Sequence, residues 1–268
     1  MSKEYDLTIV LIATGKYFGY AKLLVAQINE NINPGSEIQI LLLTDSKEVL
    51  LSPDKRLLIT QKFVTQQPWP EITLFRYETI LKFKEFILGK NMFWIDADMG
   101  IVKKINTNLL FLKNGVFLAK HPGYTFNGKK LVKLARLNFI RFVHVLFSKK
   151  IHHPFSTLGW ETSKESKAFV PLLKRRCYRM GGFWGGNRLQ VLKMCEVLAT
   201  NVRQDYDQGL VAIWNDESHL NWFAANHSTQ KIPNGFVSVE NYELLEPSIA
   251  HIYCLDKSEL DAILANVK

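Results

Sequence analysis

The sequence predicts an α/β protein built on a largely parallel sheet. Two apolar runs rich in β-branched residues, 7–13 and 38–43, have the composition of buried parallel strands. Residues 17–28 between them place apolar side chains at helical spacing, and the Asn-Pro-Gly sequence at 33–35 ends that helix. A β-α-β unit of this kind implies a right-handed crossover, and therefore two parallel strands in one sheet.

A third observation is the short apolar run 92–95, which is followed directly by Asp96 and Asp98. In an open α/β sheet, ligands bind beyond the carboxyl ends of the strands, where these two carboxylates are expected to lie. Two neighbouring anions repel each other unless a cation compensates them, and a hard divalent ion takes oxygen ligands. The pair therefore predicts a Mg²⁺ or Mn²⁺ site for a nucleotide diphosphate, although two solvated aspartates in a loop would have the same sequence.

The remaining elements follow in chain order. Residues 62–65 are predicted as a short strand, 71–88 as a helix that contains Arg76, and 116–120 as another strand. A further helix is expected at 189–198. No glycine-rich dinucleotide turn follows the first strand, so phosphate groups must be held in another way.

Composition narrows the classes of function. The 268 residues and 47% hydrophobic content suffice for one sizeable core, and the net charge of +9 favours anionic partners. Cys177, Cys195 and Cys254 fit neither a disulfide framework nor a zinc site, which indicates a reducing compartment. The N-terminus lacks a basic, apolar leader and no run of about 20 apolar residues occurs. We therefore expect a cytoplasmic protein without a membrane span.

Residues 126–153 form a stretch with lysines and arginines on one side of a helical projection and apolar side chains on the other. This composition is typical of a helix at a membrane interface. It is equally typical of a surface helix that packs its apolar side on the core.

Two dense clusters occupy the second half of the chain. Residues 178–186 contain four glycines among aromatic side chains, which indicates backbone in close approach to another group or a tight bulged turn. Residues 214–221 place five acidic, amide or imidazole side chains, including Asp216 and Glu217, within eight residues. A helix-capping role for Asp216 would explain only one of them.

With both clusters, the sequence resembles the family 6 retaining glycosyltransferases, the group of the blood-group A/B and α-1,3-galactosyl transferases. The matching strings are I-D-A-D-M at 95–99, H-P-G at 121–123, M-G-G-F-W-G-G at 180–186 and W-N-D-E-S-H-L-N at 214–221. The resemblance covers roughly residues 7–257. It implies a single-domain nucleotide-sugar transferase fold of type A, which is a Rossmann-like mixed sheet flanked by helices.

The resemblance also implies a division of labour along the chain. Residues 1–105 would form the half that binds UDP. Residues 106–268 would form the acceptor and catalytic half, with 126–153 as a basic insertion.

Roles for individual residues follow from the same resemblance. Asp96 and Asp98 take the metal and diphosphate roles, and Glu217 matches the carboxylate proposed as nucleophile or as stabiliser of the cationic sugar. The other implied donor-binding residues are Ile12, Ala13, Thr14, Tyr17, Arg76, Met180, Gly181, Gly182, Asp205 and Lys257. The implied acceptor-binding residues are His121, Trp214 and Glu240.

These roles imply a retaining α-1,3-transferase that depends on Mn²⁺ or Mg²⁺ and moves N-acetylgalactosamine, in preference to galactose, from a UDP-sugar. Gly182 and Gly123 are small, which would leave room for the N-acetyl group. The expected acceptor is a galactose-containing glycan of H type (Fuc-α-1,2-Gal), in bacterial surface glycan or O-antigen synthesis. A lipid-linked acceptor would suit peripheral contact of residues 129–150 with the inner face of the cell membrane.

Three alternatives remain open at this point. A phosphatase of the haloacid dehalogenase type would use Asp96 as nucleophile and Asp98 as acid, but its motif usually lies near the N-terminus and continues with Thr or Val, not with Met99. A non-catalytic glycan- or membrane-binding protein would explain the basic stretch and the 12% aromatic content. Nucleic-acid binding would explain the charge, but the sequence contains no recognised nucleic-acid motif.

Overall fold

The computed structural model describes residues 5–32, 35–111, 114–121, 159–231, 236–239 and 250–266. The strands within these segments are β1 (Tyr5–Ile12), β2 (Ile38–Thr44), β3 (Leu57–Phe63), β4 (Gly89–Ile95), β5 (Met99–Ile101), β6 (Val116–Lys120), β7 (Arg179–Asn187), β8 (Gln230–Lys231), β9 (Val237–Val239) and β10 (Ile252–Cys254). The α-helices are α1 (Tyr17–Asn31), α2 (Glu71–Leu74), α3 (Arg76–Lys82), α4 (Arg188–Asp207), α5 (Asn215–Asn226) and α6 (Lys257–Asn266).

In the described part of the chain, the strands form one seven-stranded sheet and one three-stranded sheet. The order of the larger sheet is β3-β2-β1-β4-β7-β6-β8, and that of the smaller sheet is β5-β10-β9. The first four strands of the larger sheet are parallel, whereas β7 runs antiparallel to both β4 and β6. The predicted α/β class with a mixed sheet is confirmed.

Helices cover both faces of the larger sheet. Strand β1 directs Ile9 into one apolar core, to which α1 contributes Leu24, and directs Val10 into a second core, to which α4 contributes Leu198. Because both faces are buried, the central strands consist of continuous apolar residues without alternation. A fully buried Leu contributes about 1.5–3 kcal/mol, so truncating Leu24 or Leu198 to alanine would destabilise the fold markedly.

The predicted helix 71–88 is wrong in its continuity. The structure has two short helices, α2 and α3, that meet at Phe75, followed by a 3₁₀ turn at Lys84–Phe86. At the break, the Arg76 Nε donates to the Thr73 carbonyl oxygen at 3.3 Å. The interruption turns Arg76 into the interior, which hydrophobic periodicity does not reveal.

The predicted helix 189–198 begins correctly but ends too early, since α4 continues to Asp207. Val202 continues the buried side of this helix beyond Leu198. The polar residues Thr200 and Asn201 lie between these two positions and hid the apolar periodicity in the sequence. The strand predicted at 62–65 overlaps only the last two residues of β3, which begins at Leu57 and ends at Phe63.

The glycine-rich cluster is a strand and not a tight turn. A Cβ at Gly185 would lie 2.4 Å from the Met92 carbonyl oxygen, and Gly186 has a φ of +133°. Gly185 requires glycine because β7 lies against β4 too closely for a side chain, and Gly186 requires it because its φ is positive and a Cβ would lie 2.5 Å from the Gly115 carbonyl oxygen. The alternative of close backbone approach was therefore correct.

The capping role considered for Asp216 is wrong. Helix α5 begins at Asn215, Trp214 is its N-cap residue, and no side chain caps this end. Asp216 lies in the first turn and is buried.

Several predicted features lie outside the described residues: the basic stretch 126–153, Gly123 and Glu240. Of the helices that the structure does describe, none combines the length and the apolar character needed to span a bilayer.

Candidate functional site

The site begins at the loop that follows β1. The Ala13 N–H donates to the Leu43 carbonyl oxygen at 2.9 Å, and the Gly15 N–H donates to the Asp45 carboxylate at 2.9 Å. Ala13 and Thr14 are buried, and Ile12 is half-buried. The end of β2 thus holds the predicted nucleotide loop in place at the carboxyl edge of the sheet.

Asp96 is the first side chain beyond β4. Its Oδ1 atom accepts a hydrogen bond from the Trp94 indole N–H at 2.8 Å and another from the Arg76 guanidinium at 3.1 Å. Its backbone N–H donates to the Gly182 carbonyl oxygen at 2.9 Å, which ties it to β7. Burial raises the pKa of Asp96, and the charge of Arg76 opposes this rise.

Arg76 is the central cation of the site. Its Nε lies 3.0 Å from the Asp216 carboxylate, and its guanidinium donates to the Gly181 carbonyl oxygen at 3.1 Å. The guanidinium also lies 4.8 Å from the Trp94 ring centroid. Burial lowers the pKa of Arg76, but the charges of Asp216 and Asp96 outweigh it, so this side chain stays charged.

Asp216 shares Arg76 with Asp96. Burial raises the pKa of Asp216 to about 7, the charge of Arg76 opposes the rise, and Asp96 and Glu217 add to it. One guanidinium therefore faces three acidic groups, and they cannot all ionise as easily as they would in water.

Glu217 lies in the first turn of α5, and its Oε2 accepts a hydrogen bond from the Gly181 N–H at 2.6 Å. Burial raises the pKa of Glu217 to about 7, against the opposing effects of the hydrogen bond from the Gly181 N–H and of the nearby Tyr178 hydroxyl. The carboxylate is thus fixed in orientation and can change its charge near neutral pH.

Two consecutive glycines of β7 separate the two carboxylate groups. A Cβ at Gly181 would lie 3.1 Å from Glu217 Oε2, and a Cβ at Gly182 would lie 3.1 Å from Asp96 Oδ2. Since neighbouring residues of a strand face opposite sides, Gly181 faces Glu217 and Gly182 faces Asp96. Met180, the first residue of the predicted triplet, is buried in the apolar core.

Asp98 is held by a different partner. The Lys257 Nζ lies 3.2 Å from Asp98 Oδ2 and donates to the Tyr17 hydroxyl at 3.0 Å. Burial lowers the pKa of Lys257, but the hydrogen bond to Tyr17 and the charge of Asp98 together raise it above its usual value. Three predicted donor-binding residues from distant parts of the chain therefore meet at one point.

Asp96 and Asp98 suit the divalent ion that the resemblance implies. Within the described residues, no cluster of three or more metal-ligating side chains occurs. However, the contacts that the described segments make occupy only Oδ1 of Asp96 and Oδ2 of Asp98, which leaves one oxygen of each carboxylate for a metal. Mg²⁺ and similar ions commonly bind through one or two carboxylates and complete their shell with water and substrate phosphates.

Asp205 lies in a different environment from the donor residues. It accepts hydrogen bonds from the Ser166 hydroxyl at 2.6 Å and the Lys167 N–H at 2.8 Å, and lies 3.7 Å from the His219 ring. Burial lowers the pKa of His219 to about 4, so this ring is neutral. In the described segments, Asp205 orders the loop before β7.

The two described acceptor candidates lie on the Glu217 side. The His121 ring packs edge-on against Tyr178, with 5.9 Å between ring centroids. Trp214 precedes α5 and is 45% exposed, so its indole is open to a ligand.

Sequence reasoning gave Asp216, Tyr178 and Trp94 no place in the functional site. The dense polar cluster at 214–221 was a signal for Asp216, since capping could not explain it. Tyr178 and Trp94 carried no signal, because their contacts with Glu217 and Asp96 depend on how β4, β7 and α5 come together.

The fold and these residues define an α/β protein with a carboxylate-rich ligand site beyond the ends of its parallel strands. Residues 138–241 match the family model described as Glycosyltransferase family 6. The predicted resemblance to family 6 glycosyltransferases is thereby confirmed.

Individual relatives agree with this match. The chain is 22% identical over 238 residues to histo-blood group ABO system transferase 2 of Rattus norvegicus. This match covers 86% of this chain and 62% of the relative. It is 22% identical over 220 residues to the O-antigen biosynthesis glycosyltransferase WbnI of Escherichia coli, which covers 81% of each. It is 22% identical over 240 residues to globoside alpha-1,3-N-acetylgalactosaminyltransferase 1 of Gallus gallus, covering 87% of this chain and 61% of the relative. The chain thus spans about three fifths of the length of the rat and chicken relatives.

Proposed function

We propose that the protein is a retaining α-1,3-hexosyltransferase that moves N-acetylgalactosamine from UDP-GalNAc to a galactose-containing glycan. The observation that carries this proposal is a pair of carboxylates that lie against consecutive glycines of β7. Glu217 lies against Gly181, and Asp96 lies against Gly182. One carboxylate suits the leaving diphosphate with its metal, and the other suits the reacting sugar. The family match and the transferase relatives support the same reaction class.

The departing diphosphate gains negative charge as the anomeric C–O bond breaks. Asp96 and Asp98 would hold a Mn²⁺ or Mg²⁺ ion, which supplies positive charge to the diphosphate when bound. Lys257 provides a second cation on the same side, and the Tyr17 hydroxyl orients it. Arg76 stays charged and fixes Asp96 in position.

The anomeric carbon gains positive charge at the same time. In one path, an ionised Glu217 stabilises this carbon while the acceptor hydroxyl attacks from the side that UDP leaves and gives its proton to the departing diphosphate. In the other, Glu217 bonds to the carbon as the bond to UDP breaks, and the acceptor hydroxyl then displaces the carboxylate from the opposite side and loses its proton to the diphosphate. Either path retains configuration. The hydrogen bond from the Gly181 N–H holds the carboxylate in one orientation. Such preorganisation removes the need for reorientation during the reaction.

The absence of side chains at two neighbouring positions of β7 bears on which sugar the protein transfers. Gly181 and Gly182 carry no side chain, so neither adds bulk against a sugar substituent such as N-acetyl beside Glu217 or Asp96. A gap excludes the smaller galactose only weakly, so UDP-Gal is the second donor.

On the acceptor side, the exposed Trp214 indole offers an apolar face for a sugar ring. We assign the H-type Fuc-α-1,2-Gal unit as acceptor and bacterial surface glycan synthesis at the inner membrane face as the setting. The Escherichia coli relative is named for O-antigen biosynthesis, which supports this choice.

Hydrolysis of UDP-sugars by the purified protein tests the proposal without an acceptor. We expect UDP release that requires Mn²⁺, stops in EDTA and is faster with UDP-GalNAc than with UDP-Gal. Glu217→Gln should abolish most of it, whereas Glu196→Gln, on the exposed side of α4, should not. Absence of both UDP binding and UDP release would refute the transferase, and equal rates in EDTA would refute the metal site.

A further inference from the structure

A pocket that is separate from the donor-side residues lies near the end of α5 opposite Glu217. Its volume is about 610 Å³, and its wall includes the C-terminal residues of α5, the segment before β7, and Trp160. Glu217 and Ala225 are eight residues apart on one helix, which corresponds to about 12 Å. None of the donor-side residues described above, from Tyr17 to Lys257, lines this pocket.

The pocket is strongly cationic. Four positively charged side chains line it, and no acidic residue is among the described residues of its wall. The four are Lys120, Lys174, Arg176 and Arg179. The C-terminal end of a helix carries only about half a negative charge, so the four cations dominate the field there.

Arg179 is the most informative of the four. Its side chain belongs to a residue that is only 8% exposed, and one guanidinium nitrogen donates to the Leu118 carbonyl oxygen at 2.9 Å. Its Nε has no hydrogen-bond partner, and no carboxylate pairs with it among the described residues. A buried cation without a compensating anion costs free energy, which a bound anion would recover.

The charge of the pocket identifies the class of anion. A single carboxylate would compensate one cation of the four, whereas a phosphate or diphosphate group carries two or three charges. Guanidinium groups also bind phosphate oxygens in a bidentate geometry. We propose that this pocket binds a phosphate or diphosphate group carried by the acceptor substrate.

The position of the pocket connects it to the reaction. Trp160 lines the pocket and packs edge-on against Tyr178, with ring centroids 5.2 Å apart, and the Tyr178 hydroxyl lies close enough to Glu217 to lower its pKa. One aromatic pair therefore separates the pocket from the catalytic carboxylate. The assignment of the anion to the acceptor rests on the proposed transferase function, whereas binding of the anion does not.

Calorimetric titration tests binding. Saturating UDP first fills the donor site, and pyrophosphate or inorganic phosphate is then added. We expect pyrophosphate to bind the wild-type protein, and the double variant K174Q/R176Q to bind it at least about tenfold more weakly through loss of two charge-assisted contacts. Both replaced residues are exposed, so the fold should persist.

The matched control is the double variant K55Q/K193Q, which removes two exposed lysines elsewhere and lowers the net charge equally. It should bind pyrophosphate like the wild type. Failure of the wild type to bind pyrophosphate, or equal weakening in both double variants, overturns the pocket.

Transfer assays identify the source of the anion. We expect K174Q/R176Q to lose about tenfold in kcat/KM with an oligosaccharide linked through a diphosphate ester, and nothing with the methyl glycoside of the same oligosaccharide. Equal activity with both acceptors, despite lost pyrophosphate binding, would mean that the pocket takes free phosphate and would overturn the acceptor assignment. If no UDP-sugar turns over at all, the transferase proposal fails while the titration still decides the pocket.

Discussion

Two ion pairs of the site, Arg76–Asp216 and Lys257–Asp98, differ greatly in the burial of their cations. The side chains of Arg76 and Asp216 are 8% and 5% exposed, whereas Lys257 beside Asp98 is 54% exposed. A buried pair cannot lose one partner without leaving an uncompensated charge, whereas an exposed pair contributes little to stability. The buried side of the site is therefore built for fixed geometry, and the exposed side is open to a charged ligand.

Removing the buried cation should have the largest effect. Arg76→Met leaves Asp96 and Asp216 without their counter-ion, and breaking a buried pair costs about 3–5 kcal/mol. We expect this loss in the free energy of unfolding measured by denaturant titration, together with loss of UDP release.

The control for that variant is Arg203→Met, which removes a partly exposed pair with Glu78. It should change the unfolding free energy by less than about 1 kcal/mol. A similar loss in both variants would contradict the distinction between the two sides.

Replacing Glu217, the proposed catalytic carboxylate, should separate activity from stability. Glu217→Gln keeps an oxygen for the Gly181 N–H but removes the charge, so kcat should fall by at least about 10²-fold. The melting temperature should not fall, because a neutral amide is cheaper to bury than a carboxylate. A stable variant with normal kcat would remove Glu217 from the mechanism.

The pH dependence of kcat/KM should reflect the ionisation of Glu217, on the buried side of the site, and not that of Lys257. The pKa of Glu217 is raised to about 7, so its active, ionised form is lost as the pH falls through 7. We expect kcat/KM to decline about tenfold per unit below that pH. Lys257 has a raised pKa and stays protonated, so it adds no limb between pH 7 and 9. A rate independent of pH between 5.5 and 9 would contradict this assignment.

Removing the exposed cation should have the smallest effect. Lys257→Ala should raise KM for the UDP-sugar by roughly tenfold, the value of one charged contact, and leave the melting temperature unchanged. Lys22→Ala breaks a comparable exposed pair with Glu48 and should change neither quantity. Lower stability in Lys257→Ala would place this lysine in the scaffold.

Prediction succeeded where the signal is local. Strand β6 has the bounds that its apolar run indicated, and Asp96 follows β4 as expected. Prediction failed where a local pattern met a tertiary demand, as at Phe75, where the helix breaks and Arg76 turns inward. It also left Tyr178 and Trp94 without a role, because a side chain's partner on another strand or helix is not encoded by spacing.

By itself, the sequence determined the α/β class, the carboxylates beyond β4 and the glycines of β7, because strands, turns and close backbone approaches each restrict the residues nearby. Only the tertiary structure decided that Arg76 would bridge Asp96 and Asp216, that Lys257 would reach Asp98 across about 160 residues of chain, and that four cations would surround one pocket. These juxtapositions depend on packing between elements distant in the chain. The pKa values of Asp216 and Glu217 follow from that packing, since burial and neighbouring charges set them.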